Sequence, residues 1–373
     1  MKQGALTVRE FAKTVLDQKE LKADYLADTK SMQIITGDPD HLFLDFVNPV
    51  AEGGIGAFER IKVSSRAARQ IADKVKIPWK YFDRMQNGTR EDRYLLQQNI
   101  DHWFSTEPKM RMLRTFKSKN PTLRAFLGNG YHRIDNHDVI QTILPIVLEN
   151  GATIRSQELT DDHLYIKLIT DKLEGQVVGD VVRGGIMIRN SETGMGSLTL
   201  TPFTEVLACT NGMVHTRGFD GEVLGYKKRH IGSSTLNRIS GSSGSSGSKA
   251  LFLSPETRML QDAAILSEIA DTTSAILNEE TFRGIIDKMS EASSRTLGNP
   301  IETVELLQST FGVSNDEKDG ILGYLAKGGN ESLYHTSQAV TAYSQDVEDY
   351  TRATELEMMG WDVLHMSQAV SLN

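Results

Sequence analysis

The sequence predicts an α+β protein: an antiparallel sheet of two hairpins with flanking helices, followed by an all-helical acidic C-terminal region. Three observations lead there. Alternating apolar and polar residues run through 152–158, 163–169, 185–190 and 196–201, separated by the turn material Thr160-Asp161-Asp162 and Ser191 to Gly194. Apolar residues recur at helical spacing through 65–75 and 137–149, before those strands. Beyond residue 249 the helical pattern is nearly continuous.

The elements follow in order. Residues 42–47 (LFLDFV) and 58–63 (FERIKV) read as strands. The helix over 65–75 is capped by Ser64 or Ser65, carries Ala68, Ile71, Ala72 and Val75 on one face, and precedes Pro78. A short helix over 80–85 puts Tyr81 and Met85 on one side. Asp135 or Asn136 can cap the helix over 137–149, whose buried stripe is Val139, Ile143, Ile146 and Val147, with Gly151 at the position that reverses a helix end. After the hairpins come helices over 257–277, 279–292, 301–311, 316–326 and 333–358, an acidic array that packs on the core or mediates self-association. Gly184-Gly185 and Gly194/Gly196 stand in hairpin context, so neither a dinucleotide fingerprint nor a phosphate loop is present.

A chain of 373 residues with 39% hydrophobic and 24% charged content has the makings of two or three globular domains. No apolar run approaches the roughly 20 residues that span a bilayer, and the first eleven residues lack a signal-peptide core, so no membrane partner is expected. The single cysteine, Cys209, excludes an internal disulfide framework and a multi-cysteine zinc site, and fits a reducing cytoplasm.

The net charge of −8 conceals an asymmetry. Residues 249–373 hold 20 acids and 8 bases, whereas residues 1–248 hold 29 acids and 33 bases. Within that basic part, Lys109, Arg111, Arg114, Lys117, Lys119, Arg124 and Arg133 occur with no acid among them, interleaved with Phe116, Phe126 and Tyr131. Such a stretch suits single-stranded nucleic acid, because fixed cations displace counterions from phosphates and aromatic faces stack on unpaired bases. The competing reading is that these bases form a solvated face or pair with acids elsewhere in the fold.

The pattern divides the chain into an N-terminal α/β region at 1–108, an α+β nucleic-acid-binding core at 109–239, a Gly/Ser segment at 240–248 and the acidic helical region at 249–373. The segment SGSSGSSGS cannot bury surface and behaves as a flexible coil of about 15–18 Å root-mean-square span. It has the look of an engineered linker standing in for an excised loop.

Several segments, IPWKYFDRM (77–85), NGYHRIDNHDV (129–139), RNSETGMGSL (189–198), VLACTNGM (206–213), RHIG (229–232) and TAYSQDVEDY (341–350), together resemble the phage- and plasmid-borne family called domain of unknown function 932. The resemblance covers roughly 65–235 and, more loosely, the helical part. Its motif cysteine falls on Cys209, followed by Thr210-Asn211, and its aromatic–arginine position falls on Tyr131 and Arg133 with His132 between. The resemblance implies an accessory protein of DNA metabolism in mobile elements. A core helix with two antiparallel hairpins is also similar, at the level of fold alone, to phage single-strand annealing proteins.

Candidate catalytic groups are weak. Cys209 has His215 six residues on, but a lone cysteine in an apolar run reads as a small buried residue. His132, His137, Asp135 and Asp161-Asp162-His163 could be metal ligands, yet the two histidines of HRIDNH are five apart and do not share one helix face. Asp180, Glu192 and Glu205 could join Asp135 in a nuclease-like site, but they fall near turns and helix starts, where capping and solvated acids are common. No catalytic centre, metal or cofactor is therefore expected.

The expected function is single-stranded DNA binding in recombination, repair or replication, with homo-oligomerisation following from the annealing analogy. Lys109, Arg111, Arg114, Lys117, Lys119, Arg124 and Arg133 would track phosphates, and Phe116 or Tyr131 would stack on bases. Arg183 and Arg189, six apart on one predicted strand, and the cluster Lys227, Lys228, Arg229 would extend the cationic surface. The alternative is a non-catalytic interaction protein, a counter-defence or assembly factor, whose acidic helices bind a host or phage protein. A nucleic-acid enzyme ranks third.

Overall fold

The computed structural model describes residues 6–38, 40–48, 57–117, 119–207, 211–216, 224–230, 255–296, 299–328 and 332–366. Within these, twelve strands form two six-stranded sheets attended by eleven α-helices. The first sheet contains β1 (Lys22–Asp28), β2 (Met32–Ile35), β3 (Phe43–Asn48), β4 (Ala57–Val63), β5 (Met110–Phe116) and β6 (Thr122–Gly128), in the order β1-β5-β6-β4-β3-β2. Every neighbouring pair is antiparallel except β4–β6, which is reached by a long excursion through helices and β5. Those helices are α2 (Ser65–Lys74), α3 (Trp79–Gln86) and α4 (Arg90–Thr106). Their apolar faces, including Ala67, Ile71, Phe82, Leu96, Ile100 and Phe104, close one core with Ile61, Leu113, Leu123 and Phe126 of the sheet.

The second sheet is a meander of β7 (Thr153–Leu159), β8 (Leu164–Val177), β9 (Asp180–Asn190) and β10 (Leu198–Val206). Two short strands, β11 (Asn211–Val214) and β12 (Tyr226–Lys228), pair with opposite ends of β10. Strand alternation decides what covers each face. Leu164, Ile166, Leu168, Ile186, Ile188, Leu198 and Leu200 share a core with α1 (Val8–Asp17), α5 (Asn136–Glu149) and α6 (Pro255–Ile276). Tyr165, Ile169, Met187 and Phe203 on the other face meet Tyr350 and Met358 of α11 (Tyr350–Leu364). Between these lie α7 (Glu279–Ser293), α8 (Pro300–Phe311), α9 (Asn315–Gly328) and α10 (Leu333–Tyr343), which pack around the fully buried Trp361 and the sheet residues Val177, Val182 and Val206.

The α+β reading and the helical C-terminal region hold. The sheet of two hairpins is the β7–β10 meander, and α5 ends at Gly151 in the left-handed region (φ 65°), as its position predicts. Two readings need correction. A whole first sheet precedes the meander, and because β5 and β6 belong to it, the boundary drawn at residue 108 falls inside a sheet. The helix expected over 333–358 is two helices, because a one-turn 3-10 segment (Ser344–Asp346) leads to Asp349, whose side chain accepts the Arg352 N–H and starts α11 afresh. Of the two alternatives for the acidic helices, packing on the core is the one seen: α6 and α11 complete the cores on the two faces of the second sheet. The Gly/Ser segment 240–248 and Cys209 lie outside the described residues.

Candidate nucleic-acid interface

The cationic stretch folds into the β5–β6 hairpin, and the hairpin disperses it. Lys109 and Arg111 lie at one end, whereas Lys117 and Lys119 lie at the β5–β6 turn, about 20 Å away along the strand. Lys109, Lys117 and Lys119 are exposed, but Arg114 and Arg124 point inward and are buried. The expectation that these two arginines track phosphates is therefore corrected: their charges are matched inside the protein.

Arg114 is fully buried and uses three of its nitrogens. Nε donates to Asp24 Oδ1 at 3.1 Å, Nη1 to the Glu192 carbonyl at 2.9 Å and Nη2 to Asp135 Oδ1. Glu192 is the hub. Its Oε1 accepts from Lys22 Nζ and from the Asn136 backbone N–H at 2.7 Å, and its Oε2 accepts from Arg124 Nη2 at 2.8 Å. Burial alone would raise the Glu192 carboxyl, but Lys22, Arg124 and Arg114 outweigh it and hold it down to about 2. Glu192 also satisfies an orphan donor of the α5 N-terminus, a task Asp135 was expected to perform and does not.

This junction gathers three of the quoted motifs. From 189–198 come Asn190 and Glu192; from 129–139, Tyr131, Asp135 and Asn136; from 229–232, His230. Asn190 Nδ2 donates to the Ile134 carbonyl and to Asn136 Oδ1, while His230 Nε2 meets Asn190 Oδ1 at 3.1 Å. Tyr131 stacks on His230 with an interplanar angle of 1° and donates its hydroxyl to the Ser191 carbonyl. Arg124 lies over the Phe116 ring at 4.1 Å. Tyr131 and Phe116 are half-buried, and each already has a partner from within the protein against its ring.

The same stacking creates an outward-facing feature. The His132 N–H donates to the His230 carbonyl at 3.2 Å, binding the segment 131–133 to the chain leaving β12. This brings Arg133 and Lys228 together around His132. Burial depresses the His132 pKa; Asp262, 3.0 Å from Nε2, opposes this, while Lys228 and Arg133 add to the depression. Arg133 is 56% exposed and touches Asp24 at 3.2 Å, and Lys227 and Arg229 are exposed with no ion pair among the described residues. Arg133 and Lys228 flank His132 at the rim of the junction, and Lys227 and Arg229, their neighbours in the chain leaving β12, extend this into a cationic ledge.

The remaining residues lie elsewhere. Arg183 is spent on Asp171 and Glu174, and Arg189 lies over the Tyr165 ring at 5.2 Å. The proposed carboxylates have separate partners: Asp180 accepts from the Tyr334 hydroxyl and Glu205 pairs with Arg155, away from the Glu192 hub. Asp135, His137 and Asp138 bring ligand atoms within 4.8 Å of one another, but Asp135 is held by Arg114 and Asp138 pairs with His137 at 3.2 Å, so we assign them no metal. Sequence reasoning missed Lys22 and Asp24. Two residues apart on β1, they share a strand face, yet nothing in the sequence says that this face meets Arg114. Among the described residues no helix is long and apolar enough to cross a membrane.

Comparison with known proteins finds no match to this chain among family models, curated proteins or solved structures.

Proposed function

We propose that the chain binds single-stranded DNA without a catalytic step, holding phosphates along the ledge of Arg133, Lys227, Lys228 and Arg229. One observation supports this reading. The pairing of His132 with His230 draws cations from two distant parts of the sequence to one rim, while the preceding Arg114 and Arg124 are neutralised within. Cations gathered on a surface attract a polyanion, and the attraction weakens as added salt reduces the gain from counterion release.

Fluorescence anisotropy with a labelled 20-nucleotide single strand, titrated at several salt concentrations, tests the reading. Changing Arg133, Lys228 and Arg229 to Ala is expected to reduce the slope of log affinity against log salt by about 2, from about 0.7 per phosphate contact. Equal affinity and equal slope in the variant would overturn it.

A protein partner is the second reading, favoured by Met259 and Leu260, which are 66% and 72% exposed side by side on α6. Co-purification of one stoichiometric protein partner with no nucleic acid retained would put it first.

A further inference from the structure

A cleft of about 320 Å³ opens on the helix-covered side of the first sheet, between the end of α2, α4 and the beginning of β5. It lies across the sheet from the buried Arg114, because Arg111 shares the strand face of Leu113, whose side chain belongs to the helix-covered core. Four cations line it: Lys74, Lys76, Lys109 and Arg111, with Glu107 as the acid among the lining residues. Lys109 and Glu107 approach to 3.7 Å with both side chains more than half exposed, a weak pairing that leaves the cleft cationic.

Two features set it apart from an ordinary solvated surface. Lys76 occupies the reversing position at the end of α2: the Ile77 N–H reaches the Ala72 carbonyl and the Lys76 N–H the Asp73 carbonyl, with Lys76 at φ 59°. Glycine is the inexpensive residue there, and a side chain in this conformation is strained. Lys76 is one of the residues that line the cleft. The Arg111 side chain is half-buried, its guanidinium 5.9 Å from the Phe126 ring, and its Nε is buried with no hydrogen-bond partner. Beside these cations stand two open aromatic rings, Tyr81 at 48% and Trp103 at 39% exposure. Trp103 is fixed in place by its own Nε1, which donates to Asn99 Oδ1 at 3.1 Å.

We propose that this cleft binds a nucleoside phosphate, with Lys76, Lys109 and Arg111 on the phosphate and the Trp103 and Tyr81 rings against the base. Cations alone would suit any anion; the open rings lining the same cleft favour an anion that also carries a planar aromatic group. The volume accommodates about one nucleotide. The site is independent of the ledge, and its ligand can arrive as a free nucleotide or as the 5′-phosphorylated end of a strand.

Calorimetric titration of the full chain with adenosine 5′-monophosphate, adenosine and inorganic phosphate tests this. The nucleotide is expected to bind at least about tenfold more tightly than either fragment. Lys76→Gly is expected to raise Tm, by relieving the strained backbone, while weakening nucleotide binding about tenfold. Arg111→Gln should weaken it similarly. Phosphate binding as tightly as the nucleotide, or both variants binding like the wild type, would overturn the proposal. Competition by a 5′-phosphorylated oligonucleotide, but not by its dephosphorylated form, supports the site with a strand end as its source. Binding of the free nucleotide without such competition supports it with a small molecule as the source.

Discussion

Arg124 and Glu192, 68 residues apart in sequence, meet in a buried 2.8 Å hydrogen bond that joins the first sheet to the turn after β9. Around it, Lys22 and Arg114 complete three cations facing Glu192, Asp24 and Asp135. Replacing Glu192 by Gln keeps an acceptor for the Asn136 N–H but leaves the buried cations under-compensated. A loss of about 3–5 kcal/mol is expected from the denaturant midpoint. Arg133→Ala, which removes an exposed partner of Asp24, should cost under about 1 kcal/mol. Similar losses for the two variants would contradict the inward assignment of the network.

Acid should destabilise the fold in two stages. His215 is fully buried, meets Thr204 Oγ1 at 2.9 Å and lies edge-on to Trp361, and its burial pushes the pKa down to about 3. The unfolded chain therefore takes up a proton at pH values where the folded one does not, so stability is full above about 6.5 and declines toward 3. Glu192, held down to about 2, adds a further loss as pH falls from about 4.5 toward 2. Denaturation curves from pH 7 to 3 should show the first decline in the wild type and a shallower one in His215→Phe. Parallel curves would refute the assignment to His215.

A second buried pair ties the helical region to the sheet. Lys167 on β8 and Glu357 on α11 are both fully buried and hydrogen-bonded at 2.5 Å. Burial lowers the lysine pKa and raises that of the glutamate, and their mutual attraction works against both shifts. Either single change to Met is expected to cost about 3–5 kcal/mol, with the double variant regaining most of that loss. Additive losses in the double-mutant cycle would show that the pair is not coupled.

Lys76→Gly should stabilise the protein by about 1 kcal/mol, since glycine adopts the left-handed conformation at the end of α2 without a Cβ penalty. A fall in the thermal midpoint would mean that the Lys76 side chain contributes more to the fold than its backbone strain costs.

Much of the fold was legible where local rules and burial agree. The Ser64 hydroxyl caps α2 by accepting the Ala67 N–H, and the β7–β10 alternation separates the two covered faces. Two overlooked helices carried readable starts: Thr7 with Glu10 before α1, and Thr89 with Asp92 before α4, both reciprocal capping boxes. The β5–β6 hairpin was hidden by its own arginines. A buried Arg reads as surface unless its acids are known, and those of Arg114 and Arg124 lie on β1, at the start of α5 and after β9. The ledge was half legible: Lys227 to Arg229 and Arg133 each stood out, but the His132–His230 contact that unites them is a tertiary event.

On the proposed function, DNA meets the ledge and not the β5–β6 turn. Lysine footprinting by reductive methylation, with and without a saturating single-stranded oligonucleotide, reads both surfaces in one sample. The account predicts protection of Lys227 and Lys228 with Lys117 and Lys119 still reactive. Protection of Lys117 and Lys119 with Lys227 and Lys228 unchanged would contradict it.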